Sequence, residues 1–377
     1  MTYRLKTAAF FLFFALLAGP ALVAAEKPLL AQHPSLGRTQ IVFAFAGDLW
    51  LTGRDGGPAS RLTTGVGIES DPFFSPDGTL VAFSGQYDGN TDVFVVPAAG
   101  GIPRRLTYHP GADEVVGWKP DGKRVIFRST RNSFSPIPTL FMVGLDGGFP
   151  EELPLPTGVS GSFSADGSRL AYVPTMQWQA AWKRYQGGQT TPIWIIDLSN
   201  LKVEKIPREN SNDSNPMWVG DKIYFLSDRK GPVSLFVYDL KTKEVSQVLA
   251  NEGLDFKSAS SGPGGIIVEQ FGALRLFDPA QGTARLLSIS LEGDLPEVRP
   301  HYVKVGPRIA AAAISPPGIL TVAMPIRLKI SATMPVSRHF RPLKSFRSLI
   351  GRLNQPKACG LDGMLGKATT FILIVFW

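Results

Sequence analysis

Short apolar stretches recur along most of the chain and are separated by turns rich in Gly, Pro and Asp. Three of these turns share one pattern: Ser75-Pro76-Asp77-Gly78, Lys119-Pro120-Asp121-Gly122 and Ser164-Ala165-Asp166-Gly167. Each is followed by an apolar, β-prone stretch such as Leu80-Val81-Ala82-Phe83. Pro presets φ, Asp bonds to nearby backbone and Gly accepts a positive φ, so each pattern predicts a tight β-hairpin.

Three degenerate copies of this turn extend the series to six. They are Pro34-Ser35-Leu36-Gly37, Val219-Gly220-Asp221-Lys222 and Gly262-Pro263-Gly264-Gly265. The six turns begin 41, 44, 45, 55 and 43 residues apart, and the long interval contains an insertion over residues 176–188. A period of about 40 to 50 residues is typical of propeller blades.

Further strands lie at equivalent places between the turns, and most are followed by a second turn such as Asp55-Gly56-Gly57 and a last short strand. Four strands per repeat predict an all-β fold, a six-bladed β-propeller of four-stranded blades over residues 26–305. We expect residues 27–31 to supply the outer edge of the first blade. The aromatic positions of these strands are expected to be core, and they are Trp50, Phe94, Phe141, Trp194 and Phe236.

Residues 1–25 have the pattern of a secretory signal peptide. Arg4 and Lys6 precede an apolar run over residues 8–18, and Val23-Ala24-Ala25 offers small residues for cleavage before Glu26. The run is short for a membrane span, although an uncleaved anchor is the alternative interpretation. The pattern predicts a periplasmic or secreted protein, with a cytoplasmic location as the alternative.

The repeat fails after residue 305. Ser315-Pro316-Pro317-Gly318 has the form of a seventh turn, but scattered basic and apolar residues follow it. Residues 306–377 contain ten Lys and Arg and one acid, Asp362, so their net charge is +9. The net charge of the whole chain is +8, so the remaining residues have a net charge of −1. This segment is interpreted as the aborted start of a second propeller followed by a disordered, out-of-frame tail; a genuine basic tail or contact surface is the alternative. The near-neutral body argues against a nucleic-acid partner.

Three motifs give the body a family resemblance. Gly47-Asp48-Leu49-Trp50, Phe127-Arg128-Ser129-Thr130-Arg131 and Trp182-Lys183-Arg184-Tyr185-Gln186-Gly187-Gly188 resemble the six-bladed propeller that opens tricorn-type serine proteases. The resemblance implies that a second propeller, a PDZ-like domain and a serine peptidase core follow in complete relatives, which cleave peptides as hexamers. It implies that the propellers gate and channel peptides to a sequestered site, so the missing domains, peptides and other subunits are the expected partners.

No catalytic position of that family can be transferred to this chain. The four histidines, His33, His109, His301 and His339, show no metal-binding spacing, and one cysteine, Cys359, can form neither a disulfide framework nor a cysteine-ligated metal site. We therefore expect no catalytic, cofactor or metal residue and no enzymatic activity of the chain alone.

The candidate contact residues for peptides or other domains lie on two segments. The insertion contributes aromatic and basic side chains suited to an interface, and Arg128 and Arg131 have the chemistry to bind a peptide carboxylate. Packing and blade-edge ion pairs are the structural alternatives for the same residues. The insertion's candidates are Trp178, Trp182, Lys183, Arg184 and Tyr185.

Two other functions compete with a peptide-gating fragment. One is a stand-alone periplasmic protein-binding propeller of the Tol-system kind, to which the signal peptide and near-neutral body are also suited. The other is an enzymatic propeller such as a lactonase, which needs a ring of acidic residues and Asn around a metal. Asn212, Asp213 and Asn215 form a cluster in the sequence, not a ring.

Overall fold

The computed structural model describes residues 29–177, 185–251 and 253–291, together with the backbone of 311–314 and 320–323. The described residues form strands and turns without a helix. The predicted signal segment 1–25 lies outside them. No helix in the described part is long and apolar enough to cross a membrane.

Six antiparallel sheets follow one another in the order of the sequence, each a meander of four strands, which confirms the predicted six-bladed propeller. The first blade has the strands β1 (Gln32–Leu36), β2 (Gln40–Phe45), β3 (Asp48–Gly53) and β4 (Gly56–Arg61). The second has β5 (Ile68–Phe74), β6 (Leu80–Gln86), β7 (Thr91–Pro97) and β8 (Arg104–Arg105). The third has β9 (Asp113–Trp118), β10 (Arg124–Ser129), β11 (Thr139–Gly144) and β12 (Gly147–Glu152).

The remaining blades have the same connectivity. The fourth has the strands β13 (Ser160–Phe163), β14 (Arg169–Val173), β15 (Trp194–Asp197) and β16 (Val203–Lys205). The fifth has β17 (Asp213–Val219), β18 (Lys222–Ser227), β19 (Ser234–Asp239) and β20 (Val245–Leu249). The sixth has β21 (Phe256–Gly262), β22 (Gly265–Gln270), β23 (Ala273–Asp278) and β24 (Thr283–Leu286). Three further strands are β25 (Ile289–Leu291), β26 (Ala311–Ile314) and β27 (Leu320–Ala323).

The recurrent turns join the first and second strands of the blades. In the second blade the Ser75 hydroxyl donates to Asp77 Oδ1 at 2.5 Å, and the Thr79 amide donates to the same oxygen at 3.0 Å. Gly78 has φ +80°, which a side chain would disfavour. These bonds hold the pKa of Asp77 below its usual range, so the carboxylate stays charged and keeps the turn closed.

The first turn is displaced from its expected place. Pro34, Ser35 and Leu36 lie within β1, and the chain turns at residues 37–39 instead. The Gly37 amide donates to the carbonyl of Gln40 at 2.8 Å. The prediction for this turn was wrong because the strand continues past Pro34 through a bulge between Gln32 and Ser35.

The hydrophobic core lies between neighbouring blades, so both faces of each blade are buried. Successive residues of β2 show this: Phe43 packs in the cluster shared with the sixth blade, and Val42 packs in the cluster shared with the second. Six such clusters close the ring. Burial of large side chains such as Phe127 and Phe225, each worth a few kcal/mol, holds the blades together.

The ring closes at the junction of the sixth and first blades, which we call the closing seam. The outer edge of the first blade is occupied by β25, which pairs in parallel with β4. The Ala31 amide instead donates to the carbonyl of Gly272, in the sixth blade, at 3.0 Å. The expectation that residues 27–31 form that outer edge was therefore wrong for the described residues 29–31, because the strand after the sixth blade takes the place.

The two ends of the propeller carry different connections. The turns after the first and third strands of each blade lie at one end, which we call the hairpin end. The loops after the second and fourth strands lie at the other, which we call the loop end. The strands β26 and β27 pair with each other in antiparallel orientation.

Candidate functional site

A central channel of about 1430 Å³ runs between the blades. Its wall is formed by the first strand of each blade, and each of these strands contacts the first strands of both neighbouring blades. Serines, glycines and alanines fill much of β13 and β21, so the wall is open and polar there. Channels of this kind are where propellers bind ligands.

Three inner strands share one backbone feature. His33, Asp71 and Asn215 have φ values of +48°, +50° and +50°, and each precedes a proline. Each marks a bulge in the pairing of its strand with the next. A positive φ is uncommon for residues other than glycine, although His, Asp and Asn adopt it more readily than most, and it is retained where the surrounding structure requires it. All three residues line the channel, so the bulges place polar side chains along its wall.

His33 and Asp71 form an ion pair across the first and second blades, with 2.6 Å between Nδ1 and Oδ1. The His33 side chain is 51% exposed to the channel, and its backbone amide donates to Glu269 Oε2 at 3.0 Å. Burial alone would lower the pKa of His33, but the hydrogen bond and charge of Asp71 and the charge of Glu269 raise it to about 9. Burial favours the neutral form of Asp71, but His33 outweighs it and lowers the pKa of that carboxyl. The pair is therefore charged at neutral pH.

Of the two candidate arginines, Arg128 lies on the channel wall and Arg131 does not. Arg128 Nε donates to Glu114 at 2.6 Å, and the pair is about one-third exposed. Arg131 donates to Asp113 at 2.5 Å, where the Asp113 side chain has no exposed surface. Its guanidinium also lies 5.2 Å from the ring centroids of Phe127 and Phe141. Both arginines thus form ion pairs of the kind given as the structural alternative, and peptide contact by either stays a prediction.

The insertion begins and ends beside the loop end of the channel. Met176 and Gln177 line the channel, and the Tyr185 carbonyl accepts a hydrogen bond from Asn212 Nδ2 at 2.8 Å. Tyr185 is the one candidate of this segment among the described residues. Trp178, Trp182, Lys183 and Arg184 lie outside them, so their role as contact residues stays a prediction.

The side chains of Asn212, Asp213 and Asn215, considered above for a metal ring, are hydrogen-bonded to other protein groups. Asn212 donates to Asp228 at 2.8 Å, and Asp213 accepts from Arg229 at 2.9 Å and from Ser227 at 2.6 Å. Asn215 donates to the carbonyl of Ala259. Within the described ranges no three His, Cys, Asp or Glu side chains are grouped as metal ligands are.

His33 and Asp71 were not among the candidate contact residues, and Asn215 was considered only as part of a metal cluster. A local signal existed: each stands before a proline, four or five residues ahead of the turn that ends its strand. Proline is unusual inside a strand and often marks a bulge. The sequence did not show that these three bulges face one channel.

Comparison with known proteins identifies the family. Residues 28–283 match the model of the tricorn protease N-terminal β-propeller domain, which is more than half of the chain. The chain is 28% identical over 280 residues to a tricorn protease homolog of Saccharolobus solfataricus, covering 72% of this chain and 26% of the relative. The crystal structure of the tricorn protease superposes with a TM-score of 0.64 at 24% identity, covering 71% of this chain and 27% of that one, which supports the fold.

The chain spans about a quarter of the length of the longer relatives that it matches. A shorter relative from Sulfurisphaera tokodaii is named a putative tricorn-like protease N-terminal subunit. It is 24% identical over 161 residues, covering 41% of this chain and 80% of the relative. By the match over residues 28–283, the chain belongs to the family of tricorn protease N-terminal β-propeller domains.

Proposed function

We propose that this chain is a non-catalytic propeller that gates and docks peptides for a tricorn-type serine peptidase. The open channel is the observation that supports it most directly, since a wall of strand edges and small side chains suits an extended peptide. Strand edges offer backbone donors and acceptors without selecting one peptide sequence. The peptidase domain, the second propeller and further subunits would be its partners.

The chemistry of the channel histidine supports a binding role over a catalytic one. His33 and Asp71 have the geometry of a catalytic base and its orienting carboxylate. However, a pKa of about 9 keeps the imidazole protonated at neutral pH, and a protonated imidazole cannot accept a proton from a nucleophile. The hydrogen bonds described for His33 join it to Asp71 and Glu269, neither of which is a nucleophilic hydroxyl.

The name of the Sulfurisphaera tokodaii relative supports a propeller that works as a separate subunit. A separate subunit needs its own surface for the peptidase-bearing chain. The predicted signal peptide would place this chain outside the cytoplasm, and N-terminal sequencing of the exported protein tests this point. A mature N-terminus at Glu26 is expected, and retention of residues 1–25 in the cytoplasm would contradict it.

Peptide binding by the full chain tests the proposed function. Fluorescein-labelled unstructured peptides are titrated, and anisotropy reports their binding. Arg128→Ala, on the channel wall, is expected to weaken binding about tenfold, the value of one charge-assisted hydrogen bond of about 1.5 kcal/mol. The matched control is Arg285→Ala, because Arg285 pairs with Asp55 at the outer rim of the hairpin end.

The results separate the competing functions. No peptide turnover, together with binding that Arg128→Ala weakens and Arg285→Ala leaves unchanged, supports the proposal. Binding of a folded protein but of no peptide would favour an adaptor of the Tol-system kind. Peptide cleavage by the purified chain would contradict a non-catalytic role.

A further inference from the structure

The segment that enters the fourth strand exposes a large apolar side chain in two neighbouring blades. It is Gly100-Gly101-Ile102-Pro103 in the second blade and Gly147-Gly148-Phe149-Pro150 in the third. Ile102 is 91% exposed and Phe149 is fully exposed. In the other four blades the register of the third and fourth strands places a proline or a polar residue at the same position: Pro58, Lys202, Glu244 and Thr283. A single exposed apolar residue is ordinary, but two at the same position of neighbouring blades indicate a contact surface.

The fourth strands of these two blades have opposite charges. Arg104-Arg105 in β8 stands where Glu151-Glu152 stands in β12. Arg105 donates to Asp92 at 2.6 Å, but within the described residues Arg104 forms no ion pair and is exposed. Glu151 pairs with Arg124, and Glu152 accepts a hydrogen bond from the neutral amide of Asn132 at 2.8 Å. The strand β8 thus has one uncompensated positive charge, and β12 has one uncompensated negative charge.

These side chains form one surface at the outer rim of the hairpin end. We call it the rim patch, and its members are Ile102, Arg104, Phe149, Glu151 and Glu152. Glu151 follows Phe149 by two residues in β12, so both side chains lie on the same face of the strand. Arg104 follows Ile102 at the same spacing. Pro103 and Pro150 remove amide donors at the outer edges of both blades, so the patch is suited to side-chain contacts rather than to extension of a sheet.

We propose that the rim patch is the interface between two copies of this chain, related by a two-fold axis that passes between the second and third blades. Both copies contribute the same patch to a two-fold interface, so the patch must be complementary to itself. The second blade of one copy then faces the third blade of the other. Ile102 contacts the partner's Phe149, and Arg104 pairs with the partner's Glu151, each contact occurring twice.

The presence of both charge signs in one patch favours a second copy over an unrelated partner. A partner surface of one sign would compensate only one of the two blades, whereas a second copy compensates both. The residues of the rim patch are not among those that line the channel. Dimerisation is therefore independent of the peptide binding proposed for the channel, and either proposal can fail without the other.

Sedimentation velocity of the full chain measures this self-association at concentrations from about 1 to 100 μM, a range suited to a small, reversible interface. A monomer–dimer equilibrium is expected. Phe149→Ser removes the apolar contact twice in each dimer and should raise the dissociation constant at least about tenfold. Phe134→Ser is the matched control, because Phe134 is equally exposed but stands at the loop end. It should leave the dissociation constant unchanged.

A charge exchange gives a second test that does not depend on the apolar contact. Arg104→Glu makes the patch acidic, and Glu151→Arg combined with Glu152→Arg makes it basic, so each variant alone should be monomeric. An equimolar mixture of the two should dimerise again, because each chain then supplies the opposite charge at both contacts. Melting temperatures equal to that of the unmodified chain show that the variants fold.

Three results would overturn the proposal. The first is an unmodified chain that stays monomeric at about 100 μM, which would leave the rim patch to a different protein. The second is a dimer that Phe134→Ser dissociates and Phe149→Ser does not, which would assign the contact to the loop end. The third is a mixture of the two charge variants that remains monomeric.

Discussion

The closing seam depends on a backbone contact that leaves no room for a side chain. A Cβ added to Gly272 would lie 2.1 Å from Leu30 Cα and 2.6 Å from the Leu30 nitrogen. Gly272 also has φ +76°. Gly78 has nearly the same φ, +80°, but a Cβ there would meet nothing within 4 Å. The pair Gly272→Ala and Gly78→Ala therefore separates the cost of the contact from the cost of the backbone conformation.

The difference in stability between the two variants follows from the interactions that are lost when Leu30 moves. Both alanines carry a left-handed conformation that costs roughly 1 to 2 kcal/mol. In Gly272→Ala, Leu30 must also move by more than about 1 Å to reach normal contact distance. That movement breaks the 3.0 Å bond from Ala31 to Gly272, worth about 1 kcal/mol. It also exposes the Ala31 methyl, which is 1% accessible now and contributes about 0.8 kcal/mol.

Gly272→Ala is thus expected to lower the free energy of unfolding by about 2 kcal/mol more than Gly78→Ala. Urea denaturation followed by tryptophan fluorescence measures the difference. Hydrogen exchange adds a local test, because only Gly272→Ala should speed exchange of the Ala31 and His33 amides. Equal destabilisation by the two variants, with both amides still protected, would refute the view that residues 29–31 hold the seam.

Three further predictions concern polar groups. Arg131→Met should destabilise the protein by about 3 kcal/mol, because it leaves the buried Asp113 carboxylate unpaired. Arg128→Met should cost less than about 1 kcal/mol, because its ion pair is partly exposed. Urea denaturation compares the two variants, and equal losses of stability would contradict the assigned burial. In the described residues Asp113 Oδ1 has no hydrogen-bond partner, while the equivalent Asp213 Oδ1 accepts hydrogen bonds from Ser211 and Ser227. Gly111→Ser, at the position matching Ser211, should therefore raise the melting temperature relative to Gly111→Ala. Equal melting temperatures would argue against a missing hydroxyl at this position. Because the pKa of His33 is raised, its pairing stabilises the fold fully below the unfolded-state pKa of about 6.5, and this stabilisation is lost as the pH rises through about 9. The pKa of Asp71 is lowered, so Asp71 stabilises the fold above about pH 4 and loses this contribution on acidification. His33→Gln should therefore flatten the fall in stability between pH 7 and 10, as chemical denaturation at a series of pH values would show, and an unchanged slope would contradict the pairing.

The turns and strands of each blade were predictable because their determinants are close together in the sequence. Ser75, Asp77 and Gly78 form the whole turn within a few residues, and β6 begins with an apolar stretch over residues 80–83. The repeat then predicts the ring, because a blade buries both faces only against neighbours. The first turn was misplaced since the Pro34 bulge resembles a turn when viewed locally.

Arg128 and Arg131 show where local pattern stops being informative. They are three residues apart and chemically alike, so the sequence treats them as equal candidates. Strand pairing decides between them: β10 lies beside β9, which brings Asp113 to Arg131 and Glu114 to Arg128. A recurring Ser-x-Arg in blades three and five, Ser129 to Arg131 and Ser227 to Arg229, was the available sign of a structural role.

By itself the sequence determined the repeat, the number of blades and the chemistry of the hairpin turns, because these arise from interactions between near neighbours in the chain. Only the closed ring decided which side chains share the channel and how the seam is held. His33 meets Glu269 across 236 residues of sequence, and Ala31 meets Gly272 in the same way. Such contacts form when the sixth blade reaches the first, and their geometry depends on the twist of every blade between them.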